Sequence, residues 1–404
     1  MKKVLFPLSV LAVLGCSQTG NRVAECEVIR DGDVTDEADL TEIAYDFKVY
    51  PLKSDGPIDG IQGVKFFGNK MFARSQDSEK LLCFENNSQY AVLNRLGRGP
   101  GEYIYLSDFT YDEKENRIML GNDSVICIYD GTTLDFIRKQ RVTFDIQNLL
   151  NVGDRMIYYG ADLEESRKGA DGGHNYEKVV ILADRGEWDL GNKRTVLTKM
   201  SLAWSNVWGF PQLFYINPEN YSFCIPGYVN RVVTFDNDST TDVLSFQLQR
   251  FMGEPYDQYM NAEAMMEIDL TEFYQSYYSL LLQSNSIMGN IYNIIVDKDV
   301  VSFRADYMDA KTDDRGRLGI SDTQIFCVSN GDGMNCYRHL RIPGLKNDIE
   351  PLGCHGIRNV AIIENLGADA IDDAVEMSPL ARQIVEELKK QNDDNPVMVE
   401  FRFK

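Results

Sequence analysis

Histidine is nearly missing from this chain: His174, His339 and His355 are the only three in 404 residues. No Cys-x-x-Cys pair occurs among the eight cysteines, and no cysteine–histidine group has metal spacing, so nothing supports a zinc centre. Positive charge is scarce as well, with 41 Lys and Arg against 62 Asp and Glu and a net charge of −21. Such a surface repels phosphate backbones, which argues against a nucleic-acid partner. It also disfavours flat adhesion to anionic lipid. No segment after residue 14 is apolar enough to cross a membrane. The phrases Gly-x-Ser-x-Gly, His-Glu-x-x-His and Gly-Lys-Ser/Thr are absent, which removes the nucleophile elbow, the zincin helix and the phosphate-cradling loop.

What is present begins with an export signal. Lys2 and Lys3 precede an apolar run from Val4 to Leu14, broken only by Pro7 and Ser9. Eleven residues are too few to span a bilayer, so the run reads as a signal-peptide core over residues 1–15. It ends in Val13-Leu14-Gly15-Cys16, which resembles a bacterial lipobox. The resemblance implies cleavage before Cys16 and acylation of that cysteine. An ordinary signal peptide with an incidental cysteine is the alternative; lipidation is favoured because the cysteine sits where cleavage is due and polar residues follow at once. Each buried CH2 of an acyl chain contributes about 0.8 kcal/mol, so several chains hold firmly in the outer-membrane lipid. Ser17, without an aspartate after it, resembles an outer-membrane address. The neutral Ser17–Asn21 stretch favours the periplasmic face over display outside the cell.

Removing residues 1–15 leaves 389, enough for one large domain or two smaller ones. With Cys16 acylated, seven cysteines remain, and an odd number excludes a fully paired framework. Most sit in apolar runs, as in Leu82-Cys83-Phe84 and Ile126-Cys127-Ile128, and behave as small hydrophobes. Only Cys327 and Cys336 are placed as if across one hairpin, where a disulfide is an open alternative.

Residues 16–40 read as the lipidated cysteine and a polar, acidic, flexible tether. The fold then occupies residues 41–404. Ala44–Tyr50 alternates with period two, as a half-buried strand does. Apolar segments flank Asn86-Asn87-Ser88, Asp112–Asn116, Asp130-Gly131, Asp236-Asn237-Asp238, Asp297-Lys298-Asp299 and Asn330-Gly331-Asp332-Gly333, each a hairpin signal. Serial antiparallel hairpins predict a sandwich, barrel or propeller. About 360 residues of meander is large for the first two and fits six four-stranded blades. Ile128-Tyr129-Asp130 and Thr234-Phe235-Asp236 show the degenerate repetition expected of blades. Two segments interrupt it. Residues 258–284, rich in Met, Leu and Tyr and free of Pro and Gly, predict a helical insertion. Ser378-Pro379 opens a second helix to about Lys390, with Ser378 as N-cap and Lys389-Lys390 in its last turn. Val397–Phe403 alternates as a last strand that would pair beside Ala44–Tyr50 and close the ring. The expected fold class is all-β: a six-bladed propeller with a helical insertion and a C-terminal helix.

The phrase Leu96-Gly97-Arg98-Gly99-Pro100-Gly101-Glu102-Tyr103, followed by Leu106-Ser107-Asp108-Phe109, resembles the junction after the first blade in a family of six-bladed β-propeller lipoproteins of anaerobic gut bacteria. The lipobox, Val49-Tyr50-Pro51-Leu52 and Val301-Ser302-Phe303-Arg304 are similar to that family too. The likeness spans residues 42–345 and implies fold and export rather than an activity. Physically the phrase is a turn, with Arg98 and Glu102 able to pair across the bend. A connector with a structural ion pair is the favoured reading; the functional alternative puts Arg98 or Glu102 against a ligand in the funnel.

Trp204, Trp208 and Phe210 cluster in one short segment and form the best ligand candidate, since flat rings beside Asn and Gln suit sugars or peptides. Core packing between blades is the stronger competing reading. No metal site is expected, although Asp297-Lys298-Asp299 and Asn330–Gly333 could donate oxygens to calcium; solvated turns are favoured. Cys354-His355 as a thiol and base is disfavoured, because neighbours on a strand point to opposite faces. Asp123-Ser124-Val125 and Asp238-Ser239-Thr240 resemble acceptor phrases for periplasmic O-glycosylation. The leading expectation is a non-catalytic binder of a glycan, peptide or protein in the cell envelope. A propeller enzyme with an axial site and an envelope scaffold are the alternatives.

Overall fold

A computed structural model describes residues 24–26, 29, 31–58, 60–77, 79–142, 144–152, 155–168, 174–184, 194–195, 214–216, 221–224, 231–236, 239–246, 291–312, 318–330, 333–355, 357–364, 371–372, 374–391 and 395–404. The expected helical insertion at 258–284 lies outside these residues, as do Cys16, Trp204, Trp208 and Phe210.

Three strands precede the first complete blade: β1 (Ala24–Cys26), β2 (Val34–Asp39) and β3 (Ala44–Pro51), with the one-turn helix α1 (Leu40–Ile43) before the last. Blade 1 is β4–β7 (Ile61–Phe67, Lys70–Ser75, Leu81–Glu85, Ser88–Leu93). Blade 2 is β8–β11 (Asp108–Asp112, Arg117–Asn122, Val125–Asp130, Phe136–Arg141). Blade 3 is β12–β15 (Phe144–Val152, Arg155–Lys168, His174–Asp184, Arg194–Thr195). Blade 4 is β16–β19 (Phe214–Ile216, Tyr221–Cys224, Arg231–Asp236, Ser239–Phe246), and blade 5 is β20–β23 (Ile291–Asp297, Val300–Thr312, Leu318–Ser329, Met334–Arg341). Blade 6 takes β24 (Pro351–His355), β25 (Arg358–Ile363) and β26 (Val397–Phe403), with helix α2 (Pro379–Lys390) between the last two; its fourth strand is β3. The expected six-bladed all-β architecture is therefore the observed one, and β26 pairs antiparallel with β3, Val399 opposite Val49.

Local chemistry explains the hairpins. Asn86 and Asn87 both have positive φ (50° and 64°), the conformation that a tight two-residue turn between right-twisted strands requires. Asn116, Asp123 and Lys298 turn their hairpins in the same left-handed region. Leu134 does so too, at φ 59°, so β11 starts only at Phe136. Ser378 caps α2 by accepting the Ala381 N–H at 3.1 Å, and the helix buries Leu380, Ala381, Ile384 and Val385.

The first strands of neighbouring blades touch around the ring: β8 with β12, β12 with β16, β16 with β20, β20 with β24 and β24 with β4. First strands therefore face the axis and fourth strands form the rim. The apolar core is divided into layers between blades. Phe72, Leu81, Phe109 and Leu120 fill the space between blades 1 and 2. Leu52, Val64, Phe84 and Val360 fill that between blades 6 and 1.

The acidic segment expected to be a tether supplies two strands instead. β1 adds parallel to β19 at the rim of blade 4, and β2 adds parallel to β23 at the rim of blade 5. The physical reason is charge as well as backbone pairing: Asp36 meets Arg338 at 3.3 Å and Glu37 meets Arg341 at 3.2 Å. After β3, Lys53 exchanges backbone bonds with Asn87 and Gln89 at the edge of β7. The N-terminal segment thus steps along the rims of blades 4, 5, 6 and 1.

Candidate functional site

Residues 94–107 cross from the rim at the end of β7 to the axis at the start of β8. The glycine phrase folds here. Gly97 has φ 151°, and a Cβ on it would sit 2.0 Å from Glu102 Oε2. The Glu102 carboxylate occupies that space and accepts the Gly99 N–H at 2.7 Å. The Gly97 N–H donates to the Tyr103 carbonyl at 2.8 Å, and the Tyr103 N–H donates to the Arg95 carbonyl at 2.9 Å, which closes the loop at its base. The Tyr103 side chain is fully buried. Its hydroxyl lies 2.6 Å from the Glu79 carbonyl and 3.1 Å from that of Leu93, both in blade 1. Burial pushes this hydroxyl up to about 12, so it remains a donor at neutral pH. Blade 2 holds the other side: Lys139 Nζ donates to the Gly99 carbonyl at 2.7 Å and the Tyr129 hydroxyl to the Gly101 carbonyl at 3.3 Å.

The connector is therefore clamped to two blades, and the expected ion pair across the bend does not form. Glu102 spends its carboxylate on the loop's own backbone, because only there can it satisfy an N–H that the turn leaves unpaired. Arg98 stands exposed on the loop. Beside it, Asn94, Arg95, Leu96, Pro100, Gly101 and Glu102 line a shallow, open depression of about 460 Å³. The Arg95 guanidinium lies 6.0 Å over the Tyr129 ring. Leu96, Ile104 and Tyr105 are exposed nearby in the chain. The structure brings Glu102 to this surface with Arg95, which sequence reading had not singled out, and leaves Arg98 off its lining.

A second polar centre lies toward the axis. Lys65 on β4 and Asp108 on β8 are both buried, with Nζ 2.7 and 2.8 Å from the two carboxylate oxygens. Lys65 also donates to the carbonyls of Phe109 (2.8 Å) and Leu149 (3.2 Å), and Asp108 accepts the Leu149 N–H at 2.9 Å. One ion pair thus fastens the first strands of blades 1, 2 and 3. Asn293 on β20 does similar work between blades 5 and 6, donating to the Pro351 carbonyl at 2.6 Å. Sequence reading missed these residues; the available signal was a lysine inside the apolar run Val64-Lys65-Phe66-Phe67.

The three histidines fall on strands of three different blades. His339 is on β23 at the rim of blade 5, where Nδ1 lies 2.7 Å from Asp348 Oδ2. His174 opens β14 and His355 ends β24, on two further blades. Asp297, one of the calcium candidates, pairs with Arg402 Nε at 2.9 Å. Among the described residues, no group of three or more His, Cys, Asp or Glu side chains is placed to hold a metal ion. Cys327 and Cys336 are opposite one another on β22 and β23. Asp123 and Ser124 form the β9–β10 turn.

The comparisons with known proteins agree with this fold. The chain is similar in structure to a Bacteroides fragilis protein whose name describes it as exported, at 16% identity and a TM-score of 0.58, covering 94% of this chain and 99% of the other. It also aligns with a member of the DUF4221 family from Bacteroides vulgatus, at 10% identity and a TM-score of 0.44, over 90% of this chain and 97% of that one. No curated protein matches the sequence. Residues 18–249 match the DUF5128 family, described as a 6-bladed β-propeller, and the chain belongs to that family.

Proposed function

We propose that the protein is an exported lipoprotein, anchored through Cys16 in the outer membrane and facing the periplasm, whose propeller binds a glycan, peptide or protein partner without transforming it. The observation that carries the binding reading is the connector between blades 1 and 2. Its backbone is fixed by Tyr103, Glu102 and Lys139, while its outer surface is open and mixed in character. A rigid loop presenting Arg95, Leu96 and Pro100 around a shallow depression suits contact with a broad ligand rather than enclosure of a small one. The apolar run before Cys16, and the exported relative, support the location. Trp204, Trp208 and Phe210 belong to the same proposal as the aromatic part of the ligand surface. Calcium is not required by this reading.

The test is a thermal-shift screen of the mature protein against glycans, peptides and divalent metals, since a ligand that binds only the folded state raises Tm by mass action. A shift that disappears in Trp208→Ala places the ligand on the aromatic segment, and one that disappears in Arg95→Ala places it on the connector. A shift that survives both substitutions would remove both surfaces from the proposal.

A further inference from the structure

The four cysteines whose side chains the structure describes fall into two kinds. Cys83 and Cys127 lie in the middle strands of different blades, and burial pushes their thiols up, Cys83 to about 12, so they pack as inert hydrophobes. Cys327 and Cys336 differ in having each other. They are directly opposite partners in the antiparallel pair β22–β23, with Cys327 fully buried and Cys336 nearly so. Their sulfur atoms lie 2.9 Å apart, well inside the roughly 3.5–4.0 Å at which unbonded heavy atoms pack. Opposite residues of an antiparallel pair have Cα atoms about 4.5–5.5 Å apart, within the roughly 4.4–6.8 Å that a disulfide spans. Closing the bond therefore asks for a small side-chain adjustment and no backbone movement.

We propose that Cys327 and Cys336 form a disulfide across β22 and β23 as the chain matures outside the cytoplasm, an inference that rests on the export reading above for its oxidising compartment. The oxidant is an organic disulfide, on a thiol oxidoreductase of the envelope. One cysteine, as thiolate, attacks that disulfide, forming a mixed disulfide and releasing one thiolate. The second cysteine, as thiolate, attacks the mixed disulfide, and the second thiolate of the oxidant leaves. Two hairpin thiols become one disulfide, and the oxidant's disulfide is reduced to two thiols. Both sulfurs are buried in the finished blade, so the exchange belongs to folding, before blade 5 closes. The bond fixes β23, the strand on which β2 docks, to the rest of its blade.

The experiment labels free thiols with N-ethylmaleimide in denaturant, before and after reduction, and maps the peptides by mass spectrometry. It uses the full chain recovered from the cell envelope. In parallel, the full chain purified in reductant is refolded in detergent with reduced and oxidised glutathione. The expected result is that the peptides bearing Cys327 and Cys336 stay linked and unlabelled until reduced, in both preparations. Cys336→Ser should leave Cys327 labelled and lower Tm by roughly 2–6 °C, with no further loss on reduction. Free thiols at both positions in the envelope-derived chain would overturn the proposal. Should the chain not be found in the envelope, the export reading fails, and the glutathione arm alone decides: closure of the pair supports the disulfide and free thiols overturn it.

Discussion

At the scale of single residues, the buried charges at the axis set the sharpest expectation. Lys65 and Asp108 have exchanged water for each other and for three backbone groups on blades 2 and 3. Removing one partner leaves the other charged, buried and unpaired, which costs about 3–5 kcal/mol; replacing both with apolar residues of similar size is often neutral. Asp108→Ala should therefore lower unfolding stability by about that amount, while Lys65→Met with Asp108→Leu should recover most of it. Urea unfolding of the two variants checks this. Equal losses in the single and double variants would mean that the backbone contacts, not the charge pairing, hold the blades. Glu102 teaches the same lesson on the surface. The glycine phrase marked a turn, and the turn is there, but the sequence pattern pointed the carboxylate at Arg98. The orphan N–H of Gly99 competes better for it, because a fixed donor inside the loop costs less side-chain order than a long exposed guanidinium.

Elements show what was legible and what was not. The hairpins turning at Asn86-Asn87 and at Asn116 were readable, as was α2 from its Ser378-Pro379 start, because cap and turn chemistry is local. Strands β4 and β5 escaped a period-two reading: the register shifts between Ile61 and Val64, and Gly63 adopts φ 82° inside the run. Strand β2 was invisible for another reason. Val34-Thr35-Asp36-Glu37-Ala38-Asp39 looks solvated by itself, and its partner is a basic strand some 300 residues away. Since the Asp36–Arg338 and Glu37–Arg341 pairs are exposed, they bias docking rather than drive it. Asp36→Lys with Glu37→Lys should make the amides of residues 34–39 exchange hydrogen several-fold faster at low salt. The gap should shrink at about 1 M salt, where the screening length is only about 3 Å. A gap that ignores salt would assign the docking to backbone pairing alone.

For the molecule as a whole, the decisive feature is that blade 6 is built from both ends of the chain. Strand β26 lies between β25 and β3, so its two ladders join the C-terminal strands to a strand from the N-terminal part of the chain. A propeller resolves the problem of exposed sheet edges and open ends by closing, and here closure depends on seven residues. Val397, Met398, Val399, Phe401 and Phe403 are all buried in that strand. At roughly 1.5–3 kcal/mol for each large buried apolar side chain, their loss approaches the whole of an ordinary net stability of about 5–15 kcal/mol. The rim strand β1 contrasts with this, since blade 4 has four strands of its own without it. A chain ending at residue 396 should therefore lose its cooperative urea transition, followed by circular dichroism. Adding a synthetic peptide of residues 395–404 should restore part of that transition, because only the missing strand is being replaced. A truncated chain that keeps the full-length midpoint and slope would mean that the ring is held by its inter-blade layers and the Lys65–Asp108 fastening, with the shared blade contributing little.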